Sequence, residues 1–192
     1  LAEPLVFSAV AHLLPHSLVL IDLQPVLVDV IDLRAGTDLD VRAALQLSYE
    51  EEISGAAYFA HLASLFEGRP HEALMLLARI EAVTAAAIRP LVVHYGIEPQ
   101  PSATLRAAGR AEAERRRGQS WAMLVAEMAR DFPAYVVEFD EIIALAPAED
   151  RAGLAVLRDH EVAAVDFAQM ERAGDPGSLS PLHDFLARYQ VA

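Results

Sequence analysis

Residues 45–63 decide the fold and read LQLSYEEEISGAAYFAHLA. Apolar residues recur there at steps of three and four, which is the period of one face of an α-helix. Glu52 falls on this face, and Glu81 falls on a second apolar helical face 29 residues further along. The apolar positions are Leu45, Tyr49, Ala56, Phe59 and Ala63 around the first glutamate, and Leu74, Leu77, Ala78, Ala85, Ile88 and Val92 around the second.

Two carboxylates on packed helical faces need a physical explanation. An ionised carboxylate costs several kcal/mol to bury unless something pairs with it. Two facing carboxylates therefore require a metal ion, shared protons or basic partners, and a metal is the usual solution in helix bundles.

Glycine and proline signals divide the rest of the chain into further helices. Asp38 caps the first long helix, Gly96 ends the second, and Ser120 caps the third, which Pro133 kinks or splits. The predicted ranges are 38–66, 71–95, 120–145 and 148–173, with a last short helix at 181–189. Two helical hairpins joined by one long crossover predict an all-α four-helix bundle, the arrangement of ferritin-like folds.

We interpret the 192 residues as one helical domain. Its parts are an N-terminal cover segment at 1–37, a first hairpin at 38–95, a crossover at 96–119, a second hairpin at 120–173 and a C-terminal short helix at 174–192. The crossover contains a short polar helix at 103–117, and its Arg115-Arg116-Arg117 run is typical of a solvated helix end that complements the helix dipole.

The apolar N-terminal segment is not predicted to cross a membrane, because charged and helix-breaking residues interrupt it. We expect one or two short helices broken at Pro15 and Pro25. The segment has no basic start and no initial Met, so the sequence is expected to be trimmed and the segment is not expected to be a secretory signal. The interrupting residues are His12, Pro15, His16, Asp22, Pro25, Asp29 and Asp32.

Composition excludes several classes of function. Fifteen basic and 28 acidic residues give a net charge of −13, which disfavours nucleic acid and membrane surfaces as partners. The absence of cysteine excludes disulfides, thiolate metal sites and a cysteine nucleophile. Nucleotide-binding glycine motifs and hydrolase motifs are also lacking. We expect a cytoplasmic protein, and a small-molecule substrate and a homodimer are both compatible with this composition.

Two helical segments resemble half of a ferritin-like carboxylate site. They are YEEEISGAAY at residues 49–58 and RIEAVT at residues 79–84. The spacing from Glu51 to Tyr58 matches the E-x6-Y of that superfamily, whereas Glu52 and Glu81 better match the usual separation of its helix ligands. The choice between Glu51 and Glu52 therefore stays open. The stretch LRDHEVAAVDF at 157–167 is similar to the His-Glu helix of bacterial ferritin-like proteins of unassigned function, so that the resemblance extends over about 38–173.

The chain also departs from the di-iron pattern of this superfamily. That pattern is Glu-x-x-His on the second and fourth helices, because positions i and i+3 aim both side chains at one centre. Thr84 and Ala164 stand where the two histidines are expected, while His160 adjoins Glu161 at about 100 degrees around the helix. The resemblance thus implies a divergent member with an incomplete di-iron motif. Its candidate ligands are Glu51, Glu52, Glu81, His160 and Glu161, together with one undecided third-helix acid among Glu127, Asp131 and Glu138.

Two functional hypotheses follow. In the first, the protein is an iron or manganese oxidoreductase, because carboxylates with some imidazole suit these metals. The resemblance to ferritin-like proteins implies that the reaction would be the oxygen-dependent oxidation of a small organic substrate. In the second, it is a metal-free binding module or biosynthetic enzyme whose carboxylates perform acid-base chemistry or pair with basic residues. Tyr58 is a candidate to hydrogen-bond a site carboxylate, whereas Tyr49, Trp121 and Tyr135 are expected in the core.

Each candidate ligand also has a structural explanation. Glu51 and Glu52 would then be partly exposed members of an acidic helix. His160 would be a hydrogen-bonded histidine of the core. Glu81 would pair with a basic residue. The candidates for that partner are Arg79, Arg89 and a histidine across the bundle.

Overall fold

The computed structural model describes residues 37–189, and this part of the chain contains seven helices and no strand. The all-α prediction is therefore confirmed. The helices are α1 Thr37–Ala63, α2 Arg69–His94, α3 Ser102–Arg115, α4 Trp121–Asp131, α5 Pro133–Leu145, α6 Arg151–Arg172 and α7 Ser180–Tyr189. The predicted N-terminal cover segment lies, up to residue 36, outside the described residues, as do residues 190–192. No helix within 37–189 is both long and apolar enough to cross a membrane.

The predicted helix boundaries lie within three residues of those in the structure. Gly68 and Gly96 have positive φ angles of 63° and 58°, which glycine adopts without steric cost, and they mark the two ends of α2. Ser120 caps α4 as predicted, since its hydroxyl accepts a hydrogen bond from the Met123 N–H at 3.3 Å. Asp38 lies inside the first turn of α1 rather than before it, so its predicted position as the cap is wrong.

The predicted third helix is split into α4 and α5. Pro133 begins α5, and Phe132 is the single residue between the two helices. Proline has no N–H to donate and its ring displaces the preceding turn, so a continuous helix loses a hydrogen bond at this point. Pro90 lies inside α2 without ending that helix.

Two antiparallel hairpins surround the core. In the first, α1 and α2 run in opposite directions, because the start of α2 meets the end of α1: His71 Nδ1 lies 2.9 Å from the Ala63 carbonyl oxygen. In the second, α6 returns along α4 and α5, with Trp121 Nε1 donating to Glu171 at 3.0 Å. Helix α6 also packs on α2, and α7 packs on both. The largest fully buried side chains are Leu45, Leu62, Leu74, Leu77, Ile80, Ile88, Leu154, Leu157, Phe167 and Leu182, together with Val41 and Val156.

The crossover helix α3 lies against α1 instead of projecting into solvent. Gly109 makes this possible, since a Cβ atom there would collide with the Ser54 carbonyl oxygen. The prediction of a solvated arginine run is wrong for Arg116, whose side chain is 19% exposed and lies 2.7 Å from Glu127 of α4. Arg115 and Arg117 are exposed as expected.

The crossover is also attached to α1 by Glu50, whose carboxylate accepts from the Gln100 backbone N–H at 2.9 Å and from its side-chain amide at 2.8 Å. Glu50 is only 8% exposed. Glu50→Ala should therefore lower the free energy of unfolding by about 2 kcal/mol, because it removes two part-buried hydrogen bonds to a carboxylate and leaves the backbone N–H of Gln100 without its acceptor. Urea titration of the metal-free protein checks this value. Gln100→Ala, which keeps the backbone N–H but removes the amide, should cost less than Glu50→Ala, and equal costs would contradict the explanation.

Candidate metal centre

All five candidate ligands line one cavity of about 90 Å³. Helix α1 supplies Glu51 and Glu52, α2 supplies Glu81, and α6 supplies His160 and Glu161. The antiparallel pairing of α1 with α2 brings Glu81 opposite residues 52–55, and the packing of α6 adds the imidazole. Residues that lie up to 110 positions apart in the sequence thus meet at one place.

Glu52, Glu81 and His160 form the tightest group. One potential ligand atom from each lies within 4.8 Å of the other two. The His160 Nε2 atom is 3.6 Å from Glu52 Oε1 and 3.2 Å from Glu161 Oε1. Glu52 and His160 are each 3% exposed, and Glu81 is partly exposed. The structure therefore brings Glu81 close to Glu52, while Glu51 lines the same cavity without belonging to this group of three.

Gly55 makes room for the Glu81 carboxylate. A Cβ atom at Gly55 would lie 2.5 Å from Glu81 Oε2 and 2.9 Å from its carboxyl carbon, well inside van der Waals contact. A glycine inside a helix costs about 0.5–1 kcal/mol relative to alanine. Gly55 therefore lowers the stability of α1 slightly, and it leaves room for the Glu81 carboxylate.

Gly55→Ala should reduce the affinity for Mn²⁺ by at least about tenfold, because the new methyl group displaces a proposed ligand. Helical content should be unchanged, since the displaced atoms belong to the flexible end of Glu81. Isothermal titration with Mn²⁺ checks the affinity. Gly153→Ala is the matched control, because its methyl would meet only the end of the Leu91 side chain at 3.1 Å. An affinity that falls equally in both variants would refute this role for Gly55.

The cluster carries uncompensated negative charge. Burial, followed by the charges of Glu138 and Glu161, raises the pKa of Glu51 from 4.5 to about 7. Burial also raises the pKa of Glu81 to about 7, although His160 opposes the shift. The pKa of Glu52 is raised well above its ordinary value by burial and by Glu81, with which it forms a hydrogen bond that needs a shared proton.

His160 is the basic group of this cluster. Burial alone would lower its pKa, but the carboxylates of Glu161 and Glu81 outweigh burial and raise it. No arginine or lysine is among the described residues that line the cavity. Two buried polar atoms of the cluster, Glu52 Oε2 and His160 Nδ1, have no hydrogen-bond partner among the side chains and backbone of residues 37–189. Partly paired carboxylates of this kind fit a divalent cation, which can replace the shared proton and bind the remaining oxygen.

The two positions where histidine was expected supply no ligand. Thr84 is buried, and its hydroxyl donates to the Ile80 carbonyl of its own helix at 3.0 Å. Ala164 lines the cavity with a methyl group.

The third-helix acids behave differently from one another. Glu127 pairs with Arg116, and Asp131 pairs with Arg130 at 2.7 Å. Glu138 of α5 is the acid of this group whose negative charge raises the pKa of Glu51. Tyr58 lines the cavity, but none of the hydrogen bonds found in the described residues joins it to a site carboxylate. Burial raises the pKa of Tyr58 to about 12, and its nearest charges are Arg116 and Glu127.

Sequence reasoning missed most of the aromatic side chains that line the cavity, which together form its aromatic wall. Phe132 lies at the junction of α4 and α5, and the ring centroids of Phe132 and Tyr135 are 6.1 Å apart. Phe139 lies beside the imidazole of His160, with 5.8 Å between ring centroids. The complete aromatic set consists of Tyr58, Phe59, Phe132, Tyr135 and Phe139.

Comparisons of the chain with protein families, curated proteins and solved structures find no match. The functional argument therefore depends on the residues themselves and on the geometry of this cavity.

Proposed function

We propose that this chain is a ferritin-like protein that binds iron or manganese through Glu52, Glu81 and His160. Its activity would be the oxygen-dependent oxidation of a small organic substrate. The observation that carries the proposal is the convergence of these three side chains within 4.8 Å in a buried cavity. The two antiparallel hairpins and the crossover support the ferritin-like part of the proposal.

The donor set supports the choice of metal. Two carboxylates and one imidazole suit Fe²⁺ or Mn²⁺, and additional oxygen donors shift the preference towards Mn²⁺. Glu161 can supply such an oxygen, because its Oε1 atom lies 3.2 Å from the same His160 nitrogen. A second ion would depend mainly on carboxylates, since Thr84 and Ala164 replace the other expected imidazoles.

The roles of the protein residues follow from their positions. The ion would supply a redox centre able to exchange electrons with substrate and dioxygen. Gly55 keeps space for the Glu81 carboxylate, and Glu161 lies 3.2 Å from the same His160 nitrogen, close enough to add an oxygen ligand beside it. The aromatic wall makes part of the lining apolar, and electrostatic interactions are stronger beside an apolar lining than in water. Glu51 holds or releases a proton close to neutral pH.

A second candidate function needs no metal. The hydrogen bond between Glu52 and Glu81 favours it, because two carboxyl groups that share one proton already resolve part of their repulsion. The pKa values of Glu51 and Glu81 are both near 7, so these two carboxyl groups suit general acid-base catalysis around neutral pH.

Metal analysis of protein purified without chelator distinguishes the two functions. We expect iron or manganese at about one ion per chain, and a metal-stripped sample should take up Mn²⁺ in an equilibrium titration. Purified protein without metal, which also fails to bind Mn²⁺ or Fe²⁺ at pH 8, would overturn the metal proposal and leave the acid-base function.

A further inference from the structure

The lining of the cavity combines two kinds of side chain. The carboxyl groups of Glu51, Glu52, Glu81 and Glu161 lie on it together with His160. The five aromatic side chains described above complete most of the rest. A volume of about 90 Å³ has room for several water molecules, at roughly 10–15 Å³ each, and therefore for a ligand of a few heavy atoms.

The lining indicates the class of ligand. Besides Glu52, Glu81 and His160, two further carboxyl groups line the cavity, those of Glu51 and Glu161. Arginine and lysine are missing from the described lining residues, so neither pairs with these groups inside the cavity. Carboxyl oxygens accept hydrogen bonds from an ammonium group, and the lining therefore favours a cationic ligand over an anionic one.

The aromatic wall also favours a cationic ligand. The face of an aromatic ring attracts organic cations, with a gain of about 2 kcal/mol or more where water is excluded. Phe132 and Tyr135 pack edge to face at an interplanar angle of 61°, and both line the cavity. Phe139 follows on the next turn of α5 and borders His160. Aromatic rings and carboxyl groups around one cavity are typical of sites for ammonium groups.

We infer that the cavity binds a small organic ammonium ion, with its cationic head between Glu51 and the rings of Phe132, Tyr135 and Phe139. The assignment of this ion as a substrate rests on the proposed oxidoreductase function. Its binding does not, because Glu51 and the rings lie outside the group of three proposed metal ligands.

Choline and its uncharged isostere 3,3-dimethyl-1-butanol provide the test, because they differ in charge but have nearly the same shape. Each is titrated into metal-free and Mn²⁺-loaded protein at pH 8, with binding measured by calorimetry and by ligand NMR. Choline should bind at least tenfold more tightly than the alcohol to both forms.

Two variants locate the binding site. Phe139→Leu keeps an apolar side chain but removes a ring, and Glu51→Gln removes a charge, so each should weaken choline binding at least about fivefold and affect the alcohol little. Phe66→Leu is the matched control, because Phe66 does not line the cavity and packs on Trp121 with ring centroids 6.1 Å apart. Choline affinity that changes as much in Phe66→Leu as in Phe139→Leu would place the ammonium elsewhere and overturn the inference.

The outcomes for the two proposals can be told apart. Equal binding of choline and the alcohol to a protein that does bind Mn²⁺ would overturn the ammonium inference alone. Selective choline binding to a protein that takes up no metal would support an ammonium site and overturn the oxidoreductase function.

Discussion

Glu81→Ala should lower the affinity for Mn²⁺ by at least about 100-fold. Losing a partner that only orients a metal ligand already costs roughly 10–100-fold, and Glu81 is proposed to bind the ion directly. The helix should survive the change, because alanine is the best helix former and Glu81 lies well inside α2. Equilibrium dialysis with Mn²⁺ measures the affinity, and far-ultraviolet circular dichroism measures the helix content.

Glu72→Ala is the control for this substitution. Glu72 is an exposed glutamate on the same helix, and it does not line the cavity. Its replacement should leave Mn²⁺ binding unchanged. Stoichiometric metal that remains tightly bound in Glu81→Ala would show that the site has been placed wrongly, whereas loss of metal together with loss of helix would point to a structural role for Glu81.

The parts of the site that sequence reasoning predicted are those encoded by local periodicity. Glu52 and Glu81 lie on apolar helical faces, and burial of such a face follows from its sequence alone. The choice between Glu51 and Glu52 was not decided in this way, because adjacent residues lie only about 100 degrees apart on a helix. In the structure both line the cavity, since α5 and α6 also pack near this part of α1.

The parts that sequence reasoning missed depend on contacts between distant segments. The ion pair of Arg116 with Glu127 forms because the chain turns at Gly118 and α4 returns beside the end of α3. The aromatic wall depends on the break at Pro133, which sets the rotation of α5 relative to α4 and hence the direction of Phe139. Gly55 carried a local signal, a glycine in the interior of a strongly periodic helix, which often marks close packing.

The metal-free protein should be less stable at pH 8 than at pH 5, and this change follows from the sign of the pKa shifts. A group whose pKa is higher in the folded than in the unfolded chain stabilises the fold fully below its unfolded pKa and loses that contribution as pH rises through its folded pKa. Glu51 and Glu81 have ordinary values of 4.5 and folded values of about 7, so their contribution falls between about pH 4.5 and 7. The raised pKa of His160 acts in the same direction.

The pKa of Glu171 shifts in the opposite direction, but this shift does not change stability between pH 5 and pH 8. Burial would raise the pKa of Glu171, but hydrogen bonds from Ser178, Trp121 and Arg69 outweigh burial and lower it. Its contribution to stability is therefore complete above its ordinary pKa of 4.5 and is lost only at lower pH. A comparison of pH 5 with pH 8 consequently reports on the cavity groups and on the neighbouring Glu138, whose pKa burial also raises.

One pKa unit corresponds to about 1.4 kcal/mol, so each of Glu51 and Glu81 should remove about 2–3 kcal/mol from the free energy of unfolding between pH 5 and pH 8. Because these groups are partly exposed and interact, we expect a total loss of about 3–5 kcal/mol, measured by urea titration at the two pH values.

Glu81→Gln should be about 2 kcal/mol more stable than the unmodified protein at pH 8 and nearly equal to it at pH 5, since the amide can donate to Glu52 without carrying a charge. Mn²⁺ at 100 times its dissociation constant should restore about 2.7 kcal/mol to the unmodified protein at pH 8, but not to Glu81→Gln. A metal-free protein that is as stable at pH 8 as at pH 5 would mean that the buried carboxylates already have compensating partners, and the charge argument for a metal would then fail.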